Sequence, residues 1–178
     1  MSTVLRKTVC DLYSNLVTRP TGVAVRKAIE ESIAEGPAPR VTVIDFSQVN
    51  LLDFSCADEV VGKLLDAHRR NDGDPPTYFL IRGVHEGHLE AIEAVLERYD
   101  LAVIVEDTFG RTRLVGTIDD ITRRAWQVVS RHDRVLPEEI AQEMGEAWGT
   151  ALRVLDDLSA RRLVMRLDDG FVSLPQAI

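Results

Sequence analysis

An alternation of short apolar runs with amphipathic stretches, in the middle of the sequence, constrains the fold of this chain more than any other feature. Runs rich in β-branched residues at 41–46, 78–81 and 102–105 predict strands, and the stretches 57–70 and 88–98 carry apolar residues at helical spacing. Strands that alternate with helices in this way are typical of an α/β fold. We therefore expect a sheet with covering helices in this part of the chain.

Weaker signals extend this pattern toward the amino terminus. A helix is predicted from residue 19, where a proline stands in the first turn, to the stop at Gly36-Pro37. Two short extended segments, 4–10 and 15–18, predict additional strands. Because the apolar periodicity lapses after residue 106, we assign the first domain to residues 1–108.

The remainder of the chain follows a different pattern. Helices are predicted at 118–131, 137–144 and 147–161, and two short strands flank Asp169-Gly170, a dipeptide typical of hairpin turns. Three helices followed by a hairpin form the arrangement of a winged helix. We therefore expect a small winged helix-turn-helix domain over residues 117–178.

The composition excludes several classes of protein. With 178 residues, 45% of them hydrophobic and 28% charged, the chain has the make-up of folded globular domains. Its 21 basic and 29 acidic residues give a net charge of −8, which disfavours nucleic acid as the main partner. Cys10 and Cys56 form no disulfide or zinc pattern and fit a reducing cytoplasm. Because neither a signal-peptide pattern nor an apolar run of membrane-spanning length is present, we expect no membrane location.

The loop between the first strong strand and the next helix carries the most specific motif. From residue 44 to 65 it reads Ile-Asp-Phe-Ser-Gln-Val-Asn-Leu-Leu-Asp-Phe-Ser-Cys-Ala-Asp-Glu-Val-Val-Gly-Lys-Leu-Leu. This segment resembles the signature of STAS domains, the anti-sigma factor antagonists, and more closely STAS-like variants whose helix opens with a serine followed by Ala-Asp-Glu. In the antagonist family the loop reads Asp-Ser-Ser-Gly, and a GHKL-type anti-sigma kinase phosphorylates the second serine. The resemblance implies that Asp53 matches the aspartate and Ser55 the phosphorylated serine, whereas Phe54 and Cys56 depart from the pattern.

The resemblance also implies a protein partner, such as a GHKL-type kinase or an anti-sigma factor, at the start of this helix. Asp53, Ser55, Cys56 and Asp58 are then the candidate partner-binding residues. Taken from the residues alone, Ser55 has a second interpretation, because Ser-x-x-Asp followed by Glu59 resembles a capping box. The two roles are compatible, since a phosphate at a helix N-terminus meets a favourable dipole, but the neighbouring carboxylates would repel it.

The sequence offers no pattern for cofactor or metal chemistry. It contains no phosphate-binding glycine motif, and His85-x-x-His88 lacks the spacing of helical metal ligands, which favours solvated residues at a helix start. Cys56 is the one candidate nucleophile, because a helix N-terminus lowers the pKa of a thiol, but no histidine is tied to it. We therefore expect a protein that is not an enzyme and that binds no cofactor or metal.

The carboxy-terminal segment has the features of a helix-turn-helix. Ala141 and Gly145 stand four residues apart, as tight packing and a turn require. Ala151, Leu155 and Leu158 supply the apolar inner face of the third helix. The match resembles winged-helix regulators over residues 117–175.

The polar residues of this segment bear on whether it reads DNA. Thr150, Arg153 and Arg166 are the candidate DNA-binding residues, whereas Trp148 suits a protein contact or core packing. Residues 114–178 hold 8 arginines and 11 acidic residues, so the segment nets 8 − 11 = −3. This charge favours contact with protein over contact with DNA.

Taken together, the sequence predicts a non-enzymatic regulator of bacterial signalling with a STAS-like domain followed by a winged helix. It binds a protein partner through the STAS-like domain, with phosphorylation at Ser55 as a candidate switch. Two alternatives stay open: a DNA-binding transcriptional regulator with a STAS-like sensor domain, and an enzyme that uses Cys56, which thiol reactivity at neutral pH would reveal. The sequence leaves a homodimer open.

Overall fold

A five-stranded sheet forms the centre of the larger of two structural units, Leu5–Thr117. The computed structural model describes residues 6–12, 14–35, 40–70 and 76–177. The strands of the sheet are β1 (Arg6–Asp11), β3 (Arg40–Asp45), β5 (Thr77–Val84), β6 (Ala102–Asp107) and β7 (Thr112–Gly116). They lie in this order, the first four parallel and the last antiparallel. The larger unit is therefore of the α/β class, as predicted.

Three helical crossovers connect the parallel strands. They are α1 (Arg19–Glu35), a central helix from residue 54 to 70, and α4 (Glu86–Arg98). The central helix consists of α2 (Phe54–Ala57), a π-helical segment (Asp58–Lys63) and α3 (Leu64–Arg70). Both α1 and α4 pack against the π-helical segment. The core joins side chains from helices and strands, among them Ile29, Ile44, Phe46, Val61, Leu64, Ile81, Ile92, Leu96 and Val105.

A second, very small sheet lies beside the start of the central helix. It pairs β2 (Asn15–Leu16) with β4 (Leu51–Leu52) in parallel register. Leu16 is fully buried and Leu52 packs against the core, so these two residues point inward. Their chain neighbours are exposed: Leu51 within β4, as the alternation of side chains along a strand requires, and Val17 directly after β2.

The first unit ends later than the sequence analysis placed it. The strand β7 pairs with β6 in antiparallel register, and Val115 belongs to the core cluster. The segment after residue 108 is therefore a hairpin turn followed by a further strand, rather than a linker. The predicted strand at 4–10 is found as β1, and of that prediction residues 4 and 5 lie outside the described residues.

The second unit contains Ile118–Ile178. Its helices are α5 (Asp120–Val129), α6 (Pro137–Met144), α7 (Trp148–Ala160) and α8 (Leu174–Ala177), and its strands are β8 (Val164–Leu167) and β9 (Gly170–Ser173). Gly145 ends α6 at φ 68°, a left-handed conformation that glycine adopts without strain. The predicted inner face of α7 is confirmed, since Ala151, Leu155 and Leu158 are buried.

The hairpin of the second unit is present, with one difference from the sequence. The turn residues are Asp168 and Asp169, and Gly170 already begins β9. The two strands pair in antiparallel register from Val164 opposite Ser173 to Leu167 opposite Gly170. In the described part of the chain, no helix has both the length and the apolar character needed to cross a lipid bilayer.

Candidate functional site

The start of the central helix is fastened by Asp53. One carboxylate oxygen, Oδ1, accepts a hydrogen bond from the backbone N–H of Cys56 at 2.7 Å, which makes Asp53 the N-cap. The other oxygen accepts from the N–H of Thr18 at 3.0 Å, and the N–H of Asp53 donates to the carbonyl of Leu16 at 3.0 Å. Burial would raise the pKa of Asp53, but these amide hydrogen bonds outweigh it and hold the pKa below its ordinary value.

The prediction that Ser55 caps this helix is wrong. The helix begins at Phe54, so that Ser55 lies inside the first turn and Asp53 occupies the cap position. The side chain of Ser55 is half-buried, and its hydroxyl makes no hydrogen bond with the described residues. The amides that a Ser55 cap would have bound, those of Ala57 and Asp58, already donate to backbone carbonyls of the helix, which leaves the serine hydroxyl unengaged.

Thr18 is held in an unusual conformation opposite this cap. Its φ of 82° places a β-branched residue in the left-handed region, where residues other than glycine are rarely found. Its N–H donates to Asp53, and its carbonyl accepts from the thiol of Cys56 at 2.9 Å. Both polar backbone groups of Thr18 are therefore hydrogen-bonded to the start of the central helix, which fixes the position of this segment.

Three apolar side chains surround this helix start, and we call them the apolar triad: Val17, Leu51 and Phe54. Their exposed fractions are 40%, 60% and 42%, so that half of the six large hydrophobic residues found exposed in the described structure lie here. Leu51 lies in β4 opposite Asn15, Val17 directly follows β2, and Phe54 is the first residue of the helix that follows the small sheet. Clustered exposed apolar side chains mark interaction surfaces more often than single ones do.

Cys56 does not belong to this surface. Its side chain is fully buried, and burial together with the nearby Asp53 carboxylate raises the pKa of its thiol to about 11. At pH 7 only about one thiol in ten thousand is then ionised. The prediction of Cys56 as a partner-binding residue is therefore wrong, because a partner cannot touch it.

Asp58 and Glu59 are likewise buried, each with 1% of its surface exposed. The Asp58 carboxylate accepts from Arg19 Nη1 at 2.8 Å, Tyr99 Oη at 3.0 Å and Arg98 Nη1 at 3.3 Å. Burial would raise the pKa of Asp58, but these donors keep it below the ordinary value. The prediction of Asp58 as a partner-binding residue is therefore wrong, because its carboxylate is already bound within the chain.

Glu59 occupies the same network. Its carboxylate accepts from Arg19 Nη1 at 2.7 Å, from Arg26 Nε at 3.2 Å and from the Lys63 ammonium. Burial opposes ionisation here too, and the hydrogen bonds from Lys63 and Arg19 lower the pKa of Glu59 in spite of it. Two buried carboxylates are thus neutralised by cations that come from three helices.

A glycine allows the helices to approach closely at this network. A Cβ atom on Gly62 would lie 2.5 Å from Val95 Cγ1 and 2.6 Å from the Tyr99 ring, distances that real Cβ atoms do not show. Gly62 lies in the π-helical segment, one turn after Asp58. The absence of a side chain at Gly62 therefore lets Tyr99 pack close enough to donate to Asp58.

An open cavity of about 540 Å³ lies where β5 and β6 end. His85, Glu86, Phe109, Arg111 and Arg113 are among the residues that line it. Arg111 donates to the Asp107 carboxylate at 2.8 Å, so its charge is compensated within the cavity wall. The cavity thus presents both signs of charge beside an exposed aromatic ring.

A buried histidine lies beneath one wall of this cavity. The His88 ring stacks on His85 with centroids 3.5 Å apart and has 1% of its surface exposed. Burial, helped by the charge of His85, lowers the pKa of His88 to about 4, although a contact with the Val49 backbone opposes this shift. Neither ring nitrogen makes a well-aligned hydrogen bond to the described residues. The expectation of solvated histidines is therefore wrong for His88.

The candidate residues of the second unit lie on two elements. Trp148 begins α7 with half of its surface exposed, and its indole N–H donates to Glu138 at 3.1 Å, so it is not a core residue. Thr150 is half-buried and Arg153 is exposed on the same helix. Arg166 on β8 donates to Asp156 at 2.9 Å, so its charge is already paired.

Sequence reasoning found the helix start but missed most of its contacts. The outward positions of Val17 and Leu51 could have been inferred from the inward leucines beside them. Arg19 and Arg98 are 39 and 40 positions from Asp58, and no local pattern indicates such pairs.

No protein-family model matches this chain, and no curated protein matches it either.

Proposed function

We propose that this chain is a non-enzymatic regulatory protein that binds a protein partner through the surface formed by the apolar triad and Ser55. The observation that carries the proposal is the exposed cluster of Val17, Leu51 and Phe54 around a serine whose hydroxyl is unengaged in the described structure. Such side chains are anchors for a partner when they are surrounded by polar groups.

The rigidity of this surface supports a role in recognition. Asp53 binds the helix start to the Thr18 segment through two carboxylate oxygens, so the triad is held on a fixed backbone. A preformed surface loses less conformational entropy when it binds. We propose in addition that the first unit is a STAS-like domain and that phosphorylation of Ser55 by a GHKL-type kinase regulates binding, in line with the sequence motif at 53–59.

For the second unit we propose a winged helix that contacts protein rather than DNA. Trp148 is half-exposed at the start of α7, where an aromatic side chain is suited to a protein interface. The pairing of Arg166 with Asp156 removes one of the cations that a DNA reader would use. The surplus of acidic residues in this unit points in the same direction.

The test compares substitutions at two apolar positions of similar exposure, Phe54 at 42% and Leu136 at 44%. Phe54→Asp places a charge in the triad, and Leu136→Asp does the same at a residue with 44% exposure in the second unit. Affinity-tagged forms of the wild type and both variants are purified from source cells, and the retained proteins are quantified. We expect a defined set of proteins that the wild type and Leu136→Asp retain and that Phe54→Asp loses by tenfold or more. Equal retention by all three forms would contradict the proposal.

A further inference from the structure

We propose that the partner segment bound at the apolar triad is an acidic polypeptide, because a band of cations continues from the triad along the central helix. This inference rests on the proposed function, since it names the chemistry of the partner at the same surface. The cation band consists of Arg19, Arg26, Lys63 and Arg98. All four meet at the carboxylates of Asp58 and Glu59.

The burial of these groups is asymmetric. Asp58 and Glu59 have 2% and 1% of their side-chain surface exposed, whereas Arg19, Lys63 and Arg98 expose 46%, 40% and 56%. A partner that approaches this surface therefore meets the cations and not the carboxylates beneath them. Arg26 pairs in addition with Glu30 at 2.8 Å, and the Asp53 carboxylate lies where the band begins, so four cations are matched by four carboxylates. The difference lies in exposure, because the cations point outward and the carboxylates of Asp58 and Glu59 point inward.

Two of the arginines retain hydrogen-bonding capacity. Arg19 and Arg98 both reach the buried carboxylates through Nη1 alone, and their Nε and Nη2 atoms make no hydrogen bond to the described residues. A guanidinium presents five donors in a planar fork that matches a carboxylate. Each of these arginines can therefore bind a second carboxylate from outside without releasing the first.

The cation band begins beside the triad. Asp58 follows Ser55 by three residues of the same helix, a rise of about 4.5 Å. Arg19 follows Thr18, which is bonded to Asp53 and to Cys56 at the helix start. A partner segment whose apolar side chains contact Val17, Leu51 and Phe54 thus meets Arg19 before the other cations of the band. Opposite charges flanking an apolar anchor set the orientation of a partner and the rate of its association.

A protein segment fits these features better than nucleic acid does. The band holds four cations in a chain whose net charge is −8, so it can pair with a short acidic segment, whereas the chain beyond the band would repel the long row of phosphates of a nucleic acid. The apolar triad adds a requirement for apolar side chains that acidic polypeptides can meet and a phosphate backbone cannot.

The experiment selects ligands without a bias toward any charge. A phage-displayed library of random 12-residue peptides is enriched on the full chain at 150 mM salt, and enriched peptides are measured by fluorescence anisotropy. We expect sequences rich in Asp and Glu with two or more large apolar residues. Their Kd should rise at least tenfold for Phe54→Asp and about threefold to tenfold for Arg98→Gln, with no change for Arg153→Gln in the second unit. Their Kd should also rise severalfold between 50 and 500 mM salt.

Other outcomes would overturn the inference and identify what failed. If the selected peptides are neutral or basic and still need Phe54 for binding, the partner is not acidic and the inference is wrong, whereas the proposed function stands. Peptides that bind Phe54→Asp as well as the wild type, or a selection that enriches nothing, would overturn both. Arg19→Gln would remove a cation from both buried carboxylates and disturb folding, so Arg98→Gln serves as the primary variant. A circular dichroism spectrum shows that Arg98→Gln is folded. Tighter binding of a 20-nucleotide DNA or of phosphatidylserine vesicles, lost in Arg98→Gln, would likewise contradict the inference.

Discussion

Asp53 carries two tasks at the helix start, because its carboxylate caps the helix and also holds the N–H of Thr18. We therefore expect Asp53→Ala to lower the free energy of unfolding by about 1–2 kcal/mol, the range of a lost cap. Ser55→Ala should change it by less than about 0.5 kcal/mol, because the serine hydroxyl has no partner among the described residues. Urea denaturation of both variants measures this difference. Equal losses would show that Ser55 caps the helix after all.

His88 makes the free energy of unfolding depend on pH between about pH 7 and pH 5, above the range in which the buried carboxylates of Asp58 and Glu59 contribute. Its folded pKa of about 4 lies below the ordinary value of 6.5, so the unfolded state takes up the proton first as the pH falls. The stabilising contribution is complete above pH 6.5 and is lost as the pH falls toward 4. The expected loss is about 2 kcal/mol between pH 7 and pH 5.

Urea unfolding at several pH values tests this expectation. In His88→Phe, which retains an aromatic ring beside Phe46 and His85, the decline between pH 7 and pH 5 should largely disappear. Asp58 and Glu59 also have lowered pKa values, but their contribution is lost only below about pH 4.5. An unchanged decline in His88→Phe would assign the pH dependence to another group.

At the scale of elements, the packing of α4 on the central helix depends on Gly62. A methyl group there would meet Val95 and Tyr99 at less than 3 Å, so we expect Gly62→Ala to cost more than about 2 kcal/mol. Gly149 in α7 is the matched control, since a Cβ there meets nothing within 4 Å. Gly149→Ala should be neutral or stabilise by up to about 1 kcal/mol, as helix propensity predicts. Comparable destabilisation by both changes, measured by thermal unfolding, would contradict the packing argument.

The elements differ in how far the sequence predicts them. The strands β3, β5 and β6 and the helices around them follow from apolar periodicity, because each buries a stripe that the sequence displays. The strand β7 was missed, since Thr-Arg-Leu-Val-Gly contains only two apolar residues and gains its place by pairing with β6. The π-helical segment was missed as well, because nothing in its composition distinguishes it from an α-helix.

The candidate site was predictable only in its location. The motif at 53–59 indicated the helix start, but the assignment of roles within it required the structure. Asp53 and Ser55 are both residue types that cap helices, and the residue at which the helix begins, Phe54, decides that Asp53 is the cap. The burial of Asp58 and Glu59 depends on Arg19, Arg26 and Arg98, which lie 33 to 40 positions away from the carboxylates that they bind. Such long-range pairing leaves no trace in a local pattern.

At the scale of the whole molecule, charge predicts which macromolecules bind. With a net charge of −8 and Arg166 paired to Asp156, we expect no DNA complex with useful affinity at about 150 mM salt. A mobility-shift titration of the full chain against genomic fragments tests this. A sequence-specific complex at nanomolar protein that Arg153→Ala abolishes would establish the alternative function of transcriptional regulator.

If the apolar triad is a contact surface for another protein, a photoreactive side chain placed in the triad should form a covalent bond to that protein. Leu51, the most exposed member, is replaced by p-benzoylphenylalanine in source cells, and the control carries the same replacement at Leu136. After irradiation, we expect a discrete crosslinked species of higher mass at position 51 that is absent at position 136. We also expect Phe54→Asp in the same chain to reduce the yield of this species at least fivefold. No crosslink at position 51, or an equal yield with Phe54→Asp, would contradict the account.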